Sequence, residues 1–400
     1  MASRTKLLTD LTVADLWKEV KDPATLWGDL TPQAQRTLKL LLQNRLHEEL
    51  THFLHAPRYA RMPGRRGVRN GCYVRALTTT WGTIPDLEIP RARDRGFVSS
   101  ILPRYQRRMQ DVDRLIRAVF LAGISTRRVG RTLAQVLGDT VSASTVSRIT
   151  QTLDHAVAAW HRRPLTDQYR YLLLDALTLR VKTPDGTRRR LILVAYGITT
   201  AGRRELIEYR LVRTESQATW ETFLITLAAR GLVGRPLHLI TTDGHRGLHA
   251  ALDLVYPTVP RQACWVHVLR NVAQRLRVRD RERCVHLARR IYDASSRTAA
   301  ETALRRWVRA WQPVAPRAVA CMLHDWKALL AFYAVPPRDW RTLRTTNPIE
   351  RAFREVRRRT RPMTCFTNDA SCDRIIYAVT HYLNEQWQGR PLCQKSTHNS

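Results

Sequence analysis

The sequence predicts an α/β protein whose strand-rich core is interrupted by helices and preceded by a basic, largely helical region. Three observations predict it. Apolar, strand-like runs cluster between residues 171 and 265. Helical spacing of apolar residues dominates on either side of that cluster. The 400 residues are enough for two or three domains with a real hydrophobic core.

Residues 1–55 read as helical, with Leu38, Leu41, Leu42, Leu46 and Leu50 marking an apolar face. The stretch 57–70, PRYARMPGRRGVRN, is basic and rich in Gly and Pro, and reads as a linker or a DNA-touching arm. Residues 72–91 form a small β unit. Helices follow over 111–160. Ser125 caps one that carries Val129, Leu133 and Val136 and ends at Gly138. Ser142 or Ser144 caps the next, with Val146, Ile149 and Leu153 inward and Thr145, Ser147 and Arg148 outward. The pair is either a helix-turn-helix-like unit or two plain bundle helices; the cluster Arg127, Arg128, Arg131 favours the former, with Ser144, Thr145 and Arg148 facing DNA.

YLLLDALTLRVK is then a strand, TPDG at 183–186 a hairpin turn, RLILVAYGITT a second strand and RELIEYRLVR a third. A helix over 216–230 buries Trp220, Phe223, Leu224 and Leu227. PLHLITTD is a short strand, GLHAALDLVY a helix, and QACWVHV a fifth strand. Three meandering strands, then helix, strand, helix, strand, is the order of the RNase H-like fold. Residues 266–340 are helical and polar, and a further helix begins at about Pro348 with Ile349, Ala352, Phe353 and Val356 inside. The expected organisation is an N-terminal helical and small β DNA-binding region (1–110), a helix-turn-helix-like domain (111–165), the core in two parts (166–265 and 341–388), an all-helical insertion (266–340) and a disordered tail (389–400).

Composition narrows the function. Lys and Arg total 67 against 34 Asp and Glu, a net charge of +33. Such an excess points to a polyanion, because each neutralised phosphate releases condensed counterions. Short basic packing proteins are usually poor in aromatics, whereas this chain has 11 Trp and 12 Tyr. Trp265, Trp307, Trp311, Trp326 and Trp340 give the helical stretch an aromatic core, with Trp307, Trp311 and Trp340 also candidates for stacking on bases. No apolar run approaches the roughly 20 residues of a spanning helix. The N-terminus lacks a basic-then-apolar leader, and the odd number of cysteines, seven, fits reduced cytosolic thiols.

Asp175 stands in the middle of an apolar strand, where a carboxylate is costly unless paired or bound to a cation. Asp243 ends another apolar strand, and Glu350 lies in the first turn of a later helix. In the strand order above, the two aspartates converge and Glu350 can complete the cluster. Each has a plainer reading: Asp243 before Gly244 as a turn residue, Glu350 as the i,i+4 partner of Arg354. Three hard oxygen ligands suit Mg²⁺ or Mn²⁺, and two such ions support in-line phosphoryl transfer.

The motifs RNGCYVRALTTTWGTIPDLEIPRARD, GISTRRV, STVSRIT, LLLDAL, TTDGHRGL, CWVHVLRN and TNPIERAFREVRRRT, spread over roughly 50–388, resemble bacterial insertion-sequence transposases of the Mutator type. The resemblance implies a DDE triad falling on Asp175, Asp243 and Glu350, two Mg²⁺ or Mn²⁺ ions per site, and an all-helical insertion before the Glu. It implies a DNA-cleaving and strand-transferring enzyme acting on terminal inverted repeats and target DNA in the bacterial cytoplasm, at the nucleoid, as a dimer or larger assembly. The family's Cys-His motif falls on Cys264 and His267, followed by Arg270 and Asn271, in a structural or DNA-positioning role. Arg357, Arg358, Arg359 and Arg361 extend from the Glu350 helix either as phosphate contacts or as a solvated basic face. Where family members often carry Asn, this chain has Phe353 after Ala352. The competing functions are a catalytically silent, transposase-derived regulator and an RNase H-like structure-selective nuclease.

Overall fold

The computed structural model describes residues 26–93, 96–122, 124, 126–138, 141–183, 186–360, 366 and 368–388. The expected tail, the Ser125 cap, Arg361 and the side chains of Val136 and Arg359 therefore lie outside the described residues. The chain forms two compact units, Met1–Gln151 and Thr152–Ser400. Their division falls inside the 111–165 segment.

In the first unit, helix α1 (Leu26–Leu54) packs on a hairpin of β1 (Arg69–Thr79) and β2 (Gly82–Ala92). Leu46 joins Leu77, Leu87, Ile89 and Leu102 in a small core. Leu41, expected on the apolar face, is exposed. The buried series is instead Leu46, Leu50 and Leu54, at strict i,i+4 spacing, which keeps one stripe of the helix inward. Helices α2 (Gln110–Leu121), α3 (Thr126–Leu137) and α4 (Ala143–Gln151) follow and pack on one another. Val112, Ile116, Val129, Leu133 and Val146 are buried. Gly138, at φ +66, closes α3 by donating to Ala134 O at 3.0 Å. Gly130 allows the chain before α4 to press against α3, because a Cβ there would stand 2.0 Å from Val141 O.

Ser142 is the cap of α4: its Oγ accepts from Thr145 N at 3.2 Å. Thr145 is half-buried and its hydroxyl accepts from Ser142, so it does not stand free on the outward face. Arg127, Arg128, Arg131, Ser144 and Arg148 are exposed.

The second unit opens with helix α5 (Leu153–Arg162) and is built on a five-stranded sheet in the order β5-β4-β3-β6-β7. Here β3 is Tyr169–Thr183, β4 Gly186–Thr199, β5 Arg204–Val212, β6 Leu239–Thr242 and β7 Arg261–Ala263. The β3-β4-β5 part is an antiparallel meander, and β6 and β7 run parallel to β3. Parallel strands need crossovers, and α6 (Gln217–Ala229) and α7 (Arg246–Val255) supply them. Both cover one face: Leu172, Leu174, Leu193 and Ala195 pack with Trp220, Phe223, Leu227, Leu248 and Leu252. Side chains alternate along a strand, so Leu173 and Asp175 face the opposite side.

The fifth strand is shorter than its composition predicts. Only Arg261–Ala263 pairs, and Trp265 begins helix α8 (Trp265–Gln274). The apolar residues of CWVHVLRNV recur as Trp265, Leu269 and Val272, which buries one helical stripe and overrides the β-branched valines. Helices α9 (Val278–Tyr292), α10 (Arg297–Trp311), α11 (Pro316–Leu323), α12 (Trp326–Leu329) and α13 (Pro337–Leu343) lead to α14 (Asn347–Thr360) and α15 (Asp369–Gln388).

Candidate active site

The register of the parallel strands positions the site. Tyr171, Leu172 and Leu173 lie opposite Leu239, Ile240 and Thr241. Carried two residues further, the same offset sets Asp175 opposite Asp243. On the other side, Ile240, Thr241 and Thr242 pair with Arg261, Gln262 and Ala263. The next step sets Asp243 opposite Cys264, whose N–H donates to Thr242 O at 2.8 Å. Asp175, Asp243 and Cys264 thus form one row at the carboxyl ends of β6 and β7, the edge where open α/β sheets bind ligands.

Asp175 is only 2 % exposed. Its Oδ1 accepts from Ala176 N at 2.9 Å, while Oδ2 is buried with no hydrogen-bond partner. Burial pushes its pKa up to about 7; the His267 charge opposes the rise and the Asp243 charge adds to it. Asp243 follows the last residue of β6, is half-buried, and accepts from His245 N through Oδ1 at 3.1 Å. The turn role expected of an Asp before Gly is therefore real, with Gly244 at φ +90.

Cys264 is fully buried before the first turn of α8. Its Sγ accepts from Thr346 N at 3.3 Å and Thr346 Oγ1 at 3.5 Å. Burial raises the thiol, but His267 and the Thr346 donors outweigh it and hold Cys264 below its ordinary value. His267, one turn into α8, is raised to about 9 by the Cys264 sulfur against the pull of burial, with Asp175 and Asp243 adding to the rise. Cys264 thus joins α8 to the start of α14, with the charge of His267 beside the carboxylates. Arg270 is exposed on α8, and the Asn271 carbonyl takes Arg275 Nη1 at 2.8 Å.

Thr346, which the sequence reading overlooked, is the link to Glu350. It adjoins Asp175, and its carbonyl accepts from Ile349 N at 3.0 Å and Glu350 N at 3.4 Å. The T-N-P run that opens α14 was its only signal. Glu350 is half-buried and makes no ion pair with Arg354 among the described residues. Among those residues, no three His, Cys, Asp or Glu side chains converge as a preformed cation cage, so Glu350 is not drawn into one with the two aspartates. The oxygen chemistry of the aspartate pair and the unpartnered Asp175 Oδ2 nevertheless suit a hard divalent cation.

Phe353 is buried with Ile349, Ala352 and Val356 on the inner face of α14, a core role. Arg357 and Arg358 are exposed, and Arg358 pairs with Glu355 at 3.0 Å. Trp307 and Trp311 are buried, which removes them as stacking platforms. Trp340 is half-buried against Phe332 and Tyr333, its Nε1 donating to Val335 O at 2.7 Å. The helical segment spends these rings on its own core.

The carboxylate row on a mixed sheet defines a class of α/β proteins with an acidic site at the carboxyl edge of their parallel strands. The particular family follows from comparison. The sequence model described as "Transposase, Mutator family" matches residues 17–390, and the chain belongs to that family. It is 31% identical over 353 residues to the transposase for insertion sequence element ISRM5 of Rhizobium meliloti, covering 88% of each chain. It is 32% identical over 356 residues to the transposase for IS256 in transposon Tn4001 of Staphylococcus aureus, covering 88% of this chain and 90% of that one. A third relative, the transposase for IS406 of Burkholderia multivorans, is 33% identical over 362 residues, covering 88% of this chain and 91% of its own.

Proposed function

We propose that this chain is the DNA transposase of an insertion sequence, binding the element's terminal inverted repeats and catalysing metal-dependent strand cleavage and strand transfer. The observation that carries the reading is the nearness of Asp175, on β3, to Asp243, just past the end of the adjacent parallel strand β6, where the charge of one acts on the other, in a member of this family. Strand order and direction support an RNase H-like core, with helices α8–α13 as an insertion between the second Asp and the Glu.

Asp175, Asp243 and Glu350 are the proposed ligands of two Mg²⁺ or Mn²⁺ ions. Bound there, the ions would activate the attacking water or 3′-hydroxyl and stabilise the leaving oxygen. Asp175 Oδ2, lacking a protein partner, is free to ligate. His267 supplies a compensating positive charge beside both aspartates when the site holds no cation. Cys264 and Thr346 fix the start of α14, and with it the backbone of Glu350. Arg127, Arg128, Arg131, Ser144 and Arg148 in the first unit are proposed DNA contacts, and Arg357, Arg358, Arg359 and Arg361 phosphate contacts near the site. Two ends must be joined, so the working form is a dimer or larger assembly on DNA.

The test is cleavage and joining of labelled DNA carrying the element's own ends, with Mg²⁺ or Mn²⁺. Wild type should give metal-dependent joined product. Glu350→Ala should lose more than about 100-fold of it, because even groups supporting metal ligands commonly contribute 10–100-fold. Specific end binding without cut product from wild type in either metal would overturn the reading in favour of a silent regulator.

A further inference from the structure

Beside the carboxylate row, the second unit carries a cleft of 740 Å³ that the proposed chemistry does not use. It lies between the first turns of α8 and α14, the ends of β4 and β5, and the last turn of α15. Two of its lining residues stand next in sequence to the site: Thr345 precedes Thr346, and Trp265 follows Cys264.

Its chemistry is one-sided. The floor is aromatic, with Tyr196 and Trp265 buried, and Trp387 and Tyr292 half-buried in the walls. Arginines complete it. The Arg204 guanidinium lies over the Trp387 ring, 5.0 Å from its centroid, and Arg344 lies over Tyr292 at 4.6 Å. Arg204 Nε is buried without a partner. Arg344 pairs with Asp293 at 2.8 Å. Arg341 and Arg351 are exposed on the rim, and neither has an ion-pair partner among the described residues. Among the described residues, no Asp or Glu lines the cleft.

Flat aromatic walls, cations already stacked on them and unpaired arginines at the mouth are the features that hold an unstacked base and its phosphates. The volume lies in the range of small-ligand sites, about 300–1,000 Å³. That volume suits a single nucleotide rather than a stretch of duplex. The segment after α15, GRPLCQKSTHNS, offers no Asp or Glu to meet the arginines. We propose that the cleft is a binding site for an unpaired nucleotide of the DNA strand flanking the cleavage point. The base lies against Trp387 and Tyr292, and the phosphates meet Arg341 and Arg351. This rests on the transposase reading and names a subsite of the same centre. Holding one nucleotide out of the stack would open the duplex next to the carboxylates, at an unstacking cost that aromatic contact offsets.

The test uses the full chain and two DNA probes: a blunt duplex, and the same duplex with a short single-stranded extension carrying 2-aminopurine. Wild type should bind the extended probe about tenfold more tightly, the usual effect of stacking one base on an aromatic side chain, and quench its fluorescence. Trp387→Ala should lose both effects while keeping blunt-duplex affinity, and Trp387→Phe should retain them. Should Trp387→Ala fold poorly, the exposed pair Arg341→Gln with Arg351→Gln gives the same comparison on a sound scaffold. Equal affinity of wild type for both probes, or full retention of the advantage in the arginine pair, would overturn the proposal. Equal competition by a free deoxynucleoside monophosphate would overturn it too, in favour of a site for free nucleotides. Cleavage at the element's ends is read separately. Its failure would sink the transposase reading, whereas its survival without the extension effect would sink the subsite alone.

Discussion

Two carboxylates are buried in the sheet of the second unit, and the protein treats them in opposite ways. Glu208 on β5 is 1 % exposed and surrounded by donors. Arg230 Nη1 pairs with its Oε2, His161 Nδ1 lies 2.7 Å from Oε1, and Tyr209 N donates to Oε1 at 3.0 Å. The second His161 nitrogen lies 3.3 Å from Asp373 on α15, so the cluster ties α5 (Leu153–Arg162) to the sheet and to the last helix. Asp175 on β3, equally buried, receives one backbone N–H, has only the Thr346 side chain and the His267 charge beside it, and leaves Oδ2 without a well-formed hydrogen bond. A buried charge whose partners come from the protein holds elements together. One left short of partners, as Asp175 is, is the kind of group the proposed cation site calls for.

The largest test of this contrast is to break the satisfied cluster. Glu208→Ala strands Arg230 in a buried site and should cost about 3–5 kcal/mol of unfolding free energy. Urea titration followed by circular dichroism measures it; a loss near zero would mean that Glu208 is not a lock.

The next test is pH. Burial opposes the proton on His161, but Asp373 and Glu208 outweigh it and raise the pKa to about 9, above the ordinary 6.5. A group raised on folding stabilises fully below its unfolded pKa and loses that contribution as pH climbs through the folded one. Stability should therefore fall by about 2–3 kcal/mol between pH 6.5 and about 9. His161→Gln should flatten that slope in the same urea titrations.

The smallest effect, and the sharpest in sign, is at the other carboxylate. Asp175→Asn removes a poorly satisfied buried charge, so without divalent metal it should leave stability unchanged or raise it by about 1–2 kcal/mol. Mg²⁺ or Mn²⁺ should raise the Tm of wild type by preferential binding to the folded state, and should not raise that of the variant. A destabilised Asp175→Asn that still responds to metal would make Asp175 a structural residue like Glu208.

Much of this was legible in the chain. The period-2 runs of β3, β4 and β5, the i,i+4 stripes of α1 and the Ser142 cap are local patterns, and local steric and burial preferences set them. A carboxylate amid LLLDAL already marked Asp175, because no apolar strand carries one without a reason. Other features were misread where two local signals conflicted. CWVHV carries β-branched residues at helical spacing, and packing chose the helix. Trp307 and Trp311 look alike as cores or as platforms until their neighbours are known.

By itself, then, the sequence determined most of the element order, the family resemblance and the three candidate acids, since these rest on residue types and short spacings. Strand order already brought the two aspartates to neighbouring strands, but only the tertiary structure set the register that carries Cys264 alongside them, because register depends on crossovers dozens of residues long. It alone gathered Arg204, Arg341, Arg351 and Trp387 around one cleft. Those residues come from separate segments, and no periodicity links them; only the burial of their common aromatic floor brings them together.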